Sequence, residues 1–137
     1  MRLLAVIVFS LLCLAGAAGQ EEKDAPWQKV ITSQIEAFRA EDSAGALELA
    51  GAGFREQFDD PDIFYLSVLA AGYGPLLQSR SHTFGEFERV GEEGALQVVL
   101  IVGPEQALYI AVFQMREEAE GWRVHGVMLA RDEGVGI

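Results

Sequence analysis

The 137-residue chain is half hydrophobic, with 10 basic against 21 acidic side chains and a formal net charge of −11. That length suggests one domain, the apolar content excludes wholesale disorder, and the negative field disfavours nucleic acid and anionic membrane surfaces as partners. With no asparagine there is no N-glycosylation site, and with a single cysteine, Cys13, there is no disulfide framework.

Arg2 followed by the 13-residue apolar run Leu3–Ala15 and the small residues Gly16, Ala17, Ala18 and Gly19 has the layout of a cleavable secretory signal. A spanning helix needs about 20 apolar residues, so residues 1–19 are expected to be removed after position 17, 18 or 19. Leu12 stands where a lipoprotein signal needs a small residue, so Cys13 is not expected to be lipidated. It leaves with the leader, and the mature chain then has no thiol. Removal of Arg2 leaves 9 basic against 21 acidic side chains, a net charge of −12. The expected location is periplasmic or secreted, and the cleaved protein is not an integral membrane protein.

Residues 20–25 read as a solvated linker, 26–131 as the domain and 132–137 as a flexible tail. The first helix starts at Pro26 with Asp24 as its cap, carries the stripe Trp27, Val30, Ile31, Ile35 and Phe38, and ends near Arg39–Glu41. Asp42 or Ser43 caps a shorter helix through Ala50, which Gly51-Ala52-Gly53 breaks. Phe54 and Phe58 then flank a connecting turn. Asp60-Pro61-Asp62 is a strong helix start; this third helix runs to about Ala71, is apolar on several faces, and stops at Gly72 and Gly74-Pro75.

From residue 82 the pattern changes to strands: His82–Val90, Ala95–Val102, Ala107–Arg116 and Trp122–Arg131, separated by turns at 91–94, 103–106 and Glu120-Gly121. Pairing Ala119 with Trp122 puts Tyr109, Ala111, Phe113, Met115, Val124, Gly126 and Met128 on one face. It puts Ile110, Val112, His125, Val127 and Leu129 on the other. The fold class is therefore α+β, three N-terminal helices packed on a four-stranded antiparallel meander.

Trp27, the run Val30–Phe38, Asp42, Ala46, Tyr73-Gly74-Pro75, Gln97 and Gly121-Trp122-Arg123-Val124 occur in an order similar to the bacterial family domain of unknown function 4864. The order of elements resembles the nuclear transport factor 2-like superfamily. The superfamily resemblance implies a curved sheet and helices forming a cone around a pocket, and the family resemblance implies an exported bacterial protein. It implies no activity.

No catalytic motif stands out. Gly51-Ala52-Gly53 follows a helix and lacks the third glycine of a dinucleotide fingerprint, and no serine sits in a nucleophile elbow. His82 and His125 lie on separate strands without neighbouring ligands, and helix capping accounts for Asp59, Asp60 and Asp62, so no metal and no cofactor is expected. Two readings remain: a non-catalytic ligand-binding or protein-interaction module, and a small isomerase- or hydratase-like enzyme using a pocket inside the cone. The inward side chains are mostly apolar, with Gln34, Gln97 and tyrosines as polar candidates, which favours binding. The expected pocket for a small apolar ligand is Phe38, Tyr65, Tyr73, Gln97 and Tyr109. A homodimer face is expected at Ile110, Val112, Val127 and Leu129.

Overall fold

A computed structural model describes residues 25–133. The expected leader at 1–19, most of the linker including Asp24, and residues 134–137 of the expected tail lie outside the described residues. The domain is α+β: helices come first in the chain and are followed by one open antiparallel sheet.

Helix α1 (Pro26–Arg39) follows Ala25, which offers no side-chain cap, and Pro26 sits in its first turn. Its buried stripe is Trp27, Gln28, Ile31, Gln34, Ile35 and Phe38, so it takes two glutamines inside along with the apolar residues. Val30 is only half-buried, at the margin of that stripe. The chain turns at Glu41, which has a positive φ of 56°. Asp42 then caps α2 (Ser43–Glu48) by accepting a hydrogen bond from the Gly45 N–H at 3.0 Å. This helix ends two residues before Ala50, which instead bridges Val124 of the sheet.

Ala52–Gln57 forms a further helix, α3, where the glycines suggest a break and a turn. Its stabilising partners come from far along the chain. Gly51 N–H donates to Val124 O at 2.8 Å, and Ala52 N–H to the Glu118 carboxylate at 3.0 Å. A carboxylate 66 residues away supplies the N-terminal acceptor that the local sequence lacks.

Helix α4 (Pro61–Val68) is capped by Asp60, which accepts from the Asp62 N–H at 2.9 Å. Only one of its apolar stripes faces inward: Phe64 is buried and Val68 half-buried, while Ile63, Leu66 and Leu69 are exposed. The helix breaks at Gly72, as expected: its last turn widens into a π turn (Leu69–Tyr73) around a non-helical Gly72 at φ 102°, and a separate short helix, α5 (Gly74–Leu77), follows where Gly74-Pro75 was expected to end it. The described residues thus carry five α segments where three helices were expected.

Strands β1 (Ser81–Val90), β2 (Gly94–Val102), β3 (Leu108–Glu118) and β4 (Gly121–Arg131) pair in chain order as an antiparallel meander. Two bulges set which residues face the helices. In β1 the register shifts between Phe84 and Phe87, so that residues three apart both meet inward partners, Val99 and Gln97. In β4 the last hairpin pairs Glu117, not Ala119, with Trp122, and His125 is the extra residue between Met115↔Val124 and Gln114↔Gly126. Beyond this bulge parity reverses. Val127 and Leu129 pair with Phe113 and Ala111 and pack against the core, while Met128 faces out at 69% exposure. The expected outer face of Ile110, Val112, Val127 and Leu129 is therefore split, because a one-residue bulge exchanges the faces of everything after it.

A cavity and two buried glutamines

Between the helices and the sheet lies a cavity of about 340 Å³. Its inner end is made of buried side chains: Gln34 and Phe38 from α1, Ala50, Phe64, Leu76 and Val124. Its mouth lies among Gln57 of α3 and Ser67 and Ala71 of the α4 and π-turn region, all three exposed. Phe64 stands at the centre of an aromatic group, stacked on Phe38 with centroids 6.2 Å apart and edge-on to Phe54 and Phe58 at 6.1 and 5.5 Å. Among the lining residues none carries a formal charge.

Of the five pocket residues expected from the sequence, two line this cavity. Phe38 is one; Tyr73 is the other, where the π turn brings its hydroxyl to donate to Val127 O at 2.6 Å. Tyr65 lies beside Phe38, with ring centroids 6.2 Å apart, and burial together with the Glu41 charge raises its pKa. Tyr109 belongs to a separate polar cleft formed with Pro75, Pro104 and Arg131, whose guanidinium lies 5.9 Å from its ring centre.

Gln97 does point inward, but its amide is consumed by the protein. Its carbonyl oxygen accepts from Trp27 Nε1 at 2.8 Å and from Gln28 Nε2 at 3.1 Å. Its nitrogen donates to Gly85 O and to Val98 O, each at 2.9 Å. Four bonds saturate a carboxamide, and the Gly85 carbonyl is one that the β1 bulge withdraws from the strand ladder. Sequence reasoning gave more weight to Gln97 than to Gln34 because it interrupts an apolar strand. The amide at the cavity is Gln34, 3% exposed, whose Nε2 donates to Ala46 O at 3.1 Å. Its place on the helix stripe, seven residues after Trp27, was the available signal.

A family profile described as Domain of unknown function (DUF4864) matches residues 20–137. The chain belongs to that family. No curated protein matches it. In this DUF4864 domain Trp27, Gln97 and Trp122 lie together, while Gly74-Pro75 lies beside the turn between β2 and β3. Trp27 packs edge-on against Trp122 and Phe87, at 5.1 and 5.0 Å, and is tied to Gln97. Arg89 lies over both tryptophans at 5.3 and 5.8 Å.

The DUF4864 domain also carries an ionic group behind the α3 wall of the cavity. Glu118 binds Arg55 Nη2 at 2.9 Å and His125 Nε2 at 2.7 Å, and Arg55 reaches back to Ala50 O. Burial by itself would raise the Glu118 pKa. The Arg55 hydrogen bond, the Ala52 N–H, the His125 hydrogen bond and the Arg55 charge together outweigh it and hold the carboxyl at about 2. The other histidine, His82, shares a hydrogen bond with Thr32 Oγ1 at 3.0 Å. Burial and then the Arg39 charge lower its pKa against an opposing pull from Glu36. No group of three or more acidic, histidine or cysteine side chains capable of holding a metal occurs among the described residues, and no helix there is long and apolar enough to cross a membrane.

Proposed function

We propose that this domain is a non-catalytic binding module that holds a small, largely apolar ligand between its helices and its sheet, in a cone of the nuclear transport factor 2-like kind. The observation that carries this reading is the aromatic-walled cavity, whose volume of about 340 Å³ is within the range of small-molecule sites. An isomerase or hydratase would need an acid or base facing the occupant. The nearest such pair, Glu118 and His125, is bonded to each other and, through Glu118, to Arg55, which supports binding over catalysis. In a thermal-shift screen of apolar metabolites, a true ligand at a hundred times its Kd stabilises the wild type by about 2.7 kcal/mol. Val68→Trp, which fills the cavity from its half-buried lining, should abolish that shift while remaining folded. If no compound stabilises the wild type, the cavity is only imperfect packing and the reading is wrong.

The same reading places the protein outside the cytoplasm, with residues 1–19 as a cleaved leader. Intact-mass measurement on the native envelope fraction checks it, and a full-length chain in the membrane would refute it.

Homodimerisation through the outer sheet face belongs to this reading too, with the corrected residues Leu100, Ile110, Val112 and Met128. Leu100, Ile110 and Met128 are exposed. At about 4.8 Å between strands and 3.3 Å per residue the face offers roughly 500 Å² per copy, near the total of about 1,000 Å² that a specific contact needs. Met128→Asp should convert a sedimenting dimer to monomer; a wild type that stays monomeric at high concentration excludes it.

A further inference from the structure

Resting on the binding reading, we infer that the cavity selects an uncharged, ring-bearing ligand that carries a hydrogen-bond donor, and that Gln34 is the residue that recognises the donor. The aromatic wall of Phe38, Phe54, Phe58 and Phe64 offers ring faces and edges against which a flat ring packs. No lining side chain bears a formal charge, and a buried ion without a counter-charge is strongly disfavoured. The nearest opposite charges, Arg55 and Glu118, are already spent on one another. That argues against a carboxylate or ammonium in the interior. Ser67 and Gln57 lie at the exposed mouth, so the polar groups facing the buried end are Tyr73 and Gln34, and both offer acceptor oxygen. The only hydroxyl hydrogen of Tyr73 goes to Val127 O; the Gln34 amide is anchored through one Nε2 hydrogen on Ala46 O, and its Oε1, with two acceptor sites and no bond to the protein, is the most open polar atom at the buried end. An occupant that reaches this end gains most by donating a hydrogen bond to it.

Equilibrium dialysis at pH 7 with 2-naphthol, its methyl ether 2-methoxynaphthalene and 2-naphthoate tests this. The naphthol and the ether share the ring and the oxygen and differ in the donor; the naphthoate adds a charge. On the wild type, 2-naphthoate should bind at least about tenfold more weakly than 2-naphthol. In Gln34→Leu the preference for 2-naphthol over the ether should fall about three- to tenfold, the range of one hydrogen bond, with the ether still bound. Gln34→Met, which keeps the length of the side chain, is the second variant and should behave the same way. If the naphthol and the ether change together, or neither changes, Gln34 does not recognise a donor. Equal binding of 2-naphthoate and 2-naphthol overturns the exclusion of charge. In each of those cases the cavity still binds and the wider reading stands. If none of the three binds, that reading falls and this inference falls with it.

Discussion

At the Trp27 end of the molecule a buried glutamine is bonded on every side; at the cavity another is bonded once. Gln97 ties α1 to β2 and to the displaced carbonyl of the β1 bulge, with both tryptophans and Phe87 packed around it. Gln34, on the same helix face as Trp27, has a single bond to Ala46 and an empty volume in front of it. A buried amide costs free energy unless its four hydrogen-bonding positions are met. Where the protein meets all of them, the residue is part of the scaffold. Where it meets one, space and unused polarity coincide, and a ligand can supply the rest.

Substitutions that separate these two ends should differ mainly in size. Gln97→Leu should be the most damaging, because it strands the Trp27 N–H, the Gln28 amide and the Gly85 and Val98 carbonyls in a region where Gln97 itself is fully buried. Several unmet groups at about 1–3 kcal/mol each predict a loss of roughly 3–5 kcal/mol in urea unfolding. A variant as stable as the wild type would mean that Gln97 is not the brace described here.

Glu118→Gln probes the wall that separates the cavity from the ionic group. It weakens the contacts to Arg55, His125 and the Ala52 N–H, and should cost about 1–3 kcal/mol at neutral pH, the range for bonds to a charged group. The pH dependence gives a sharper test. The carboxyl lies at about 2 in the folded protein against an ordinary 4.5. Its contribution is therefore fully present above about 4.5 and is lost as pH falls towards 2, since below that range folded and unfolded states are both protonated. The wild type should lose stability across that window in acid unfolding, and Glu118→Gln should lose distinctly less. Parallel curves would place the acid sensitivity elsewhere.

Gln34→Leu gives up one hydrogen bond and leaves one carbonyl, that of Ala46, without it. It should cost only about 1 kcal/mol in the same urea titration, several-fold less than Gln97→Leu. Equal losses would erase the contrast between the two ends. Arg89→Ala should have the smallest effect, roughly 0.5–1 kcal/mol, because its guanidinium is exposed where it covers Trp27 and Trp122. A loss above about 2 kcal/mol would mean that this arginine seals the tryptophan end.

Much of this molecule was legible from local pattern. The helix starts at Pro26, Asp42 and Asp60 follow from caps and prolines that act within a few residues. All four strands appear within two residues of their expected ends, because apolar runs bounded by glycine turns depend on neighbours in the chain. The identity of the family was legible in the same way, from the order of short motifs, and the profile match over residues 20–137 agrees with it. Tertiary structure decided the rest. Helix α3 exists because Glu118 and Val124 supply the partners that Gly51-Ala52-Gly53 lacks. The bulge at His125 turned Val127 and Leu129 inward, and period-two patterning has no means of counting an inserted residue. The choice between Gln34 and Gln97 as the amide facing the cavity rested on which partners lay within 3 Å or so of each. That distance joins α1 to β2 across 70 residues of chain in one case and α1 to the end of α2 across 12 in the other, and a hydrogen bond between distant segments leaves no periodicity behind it.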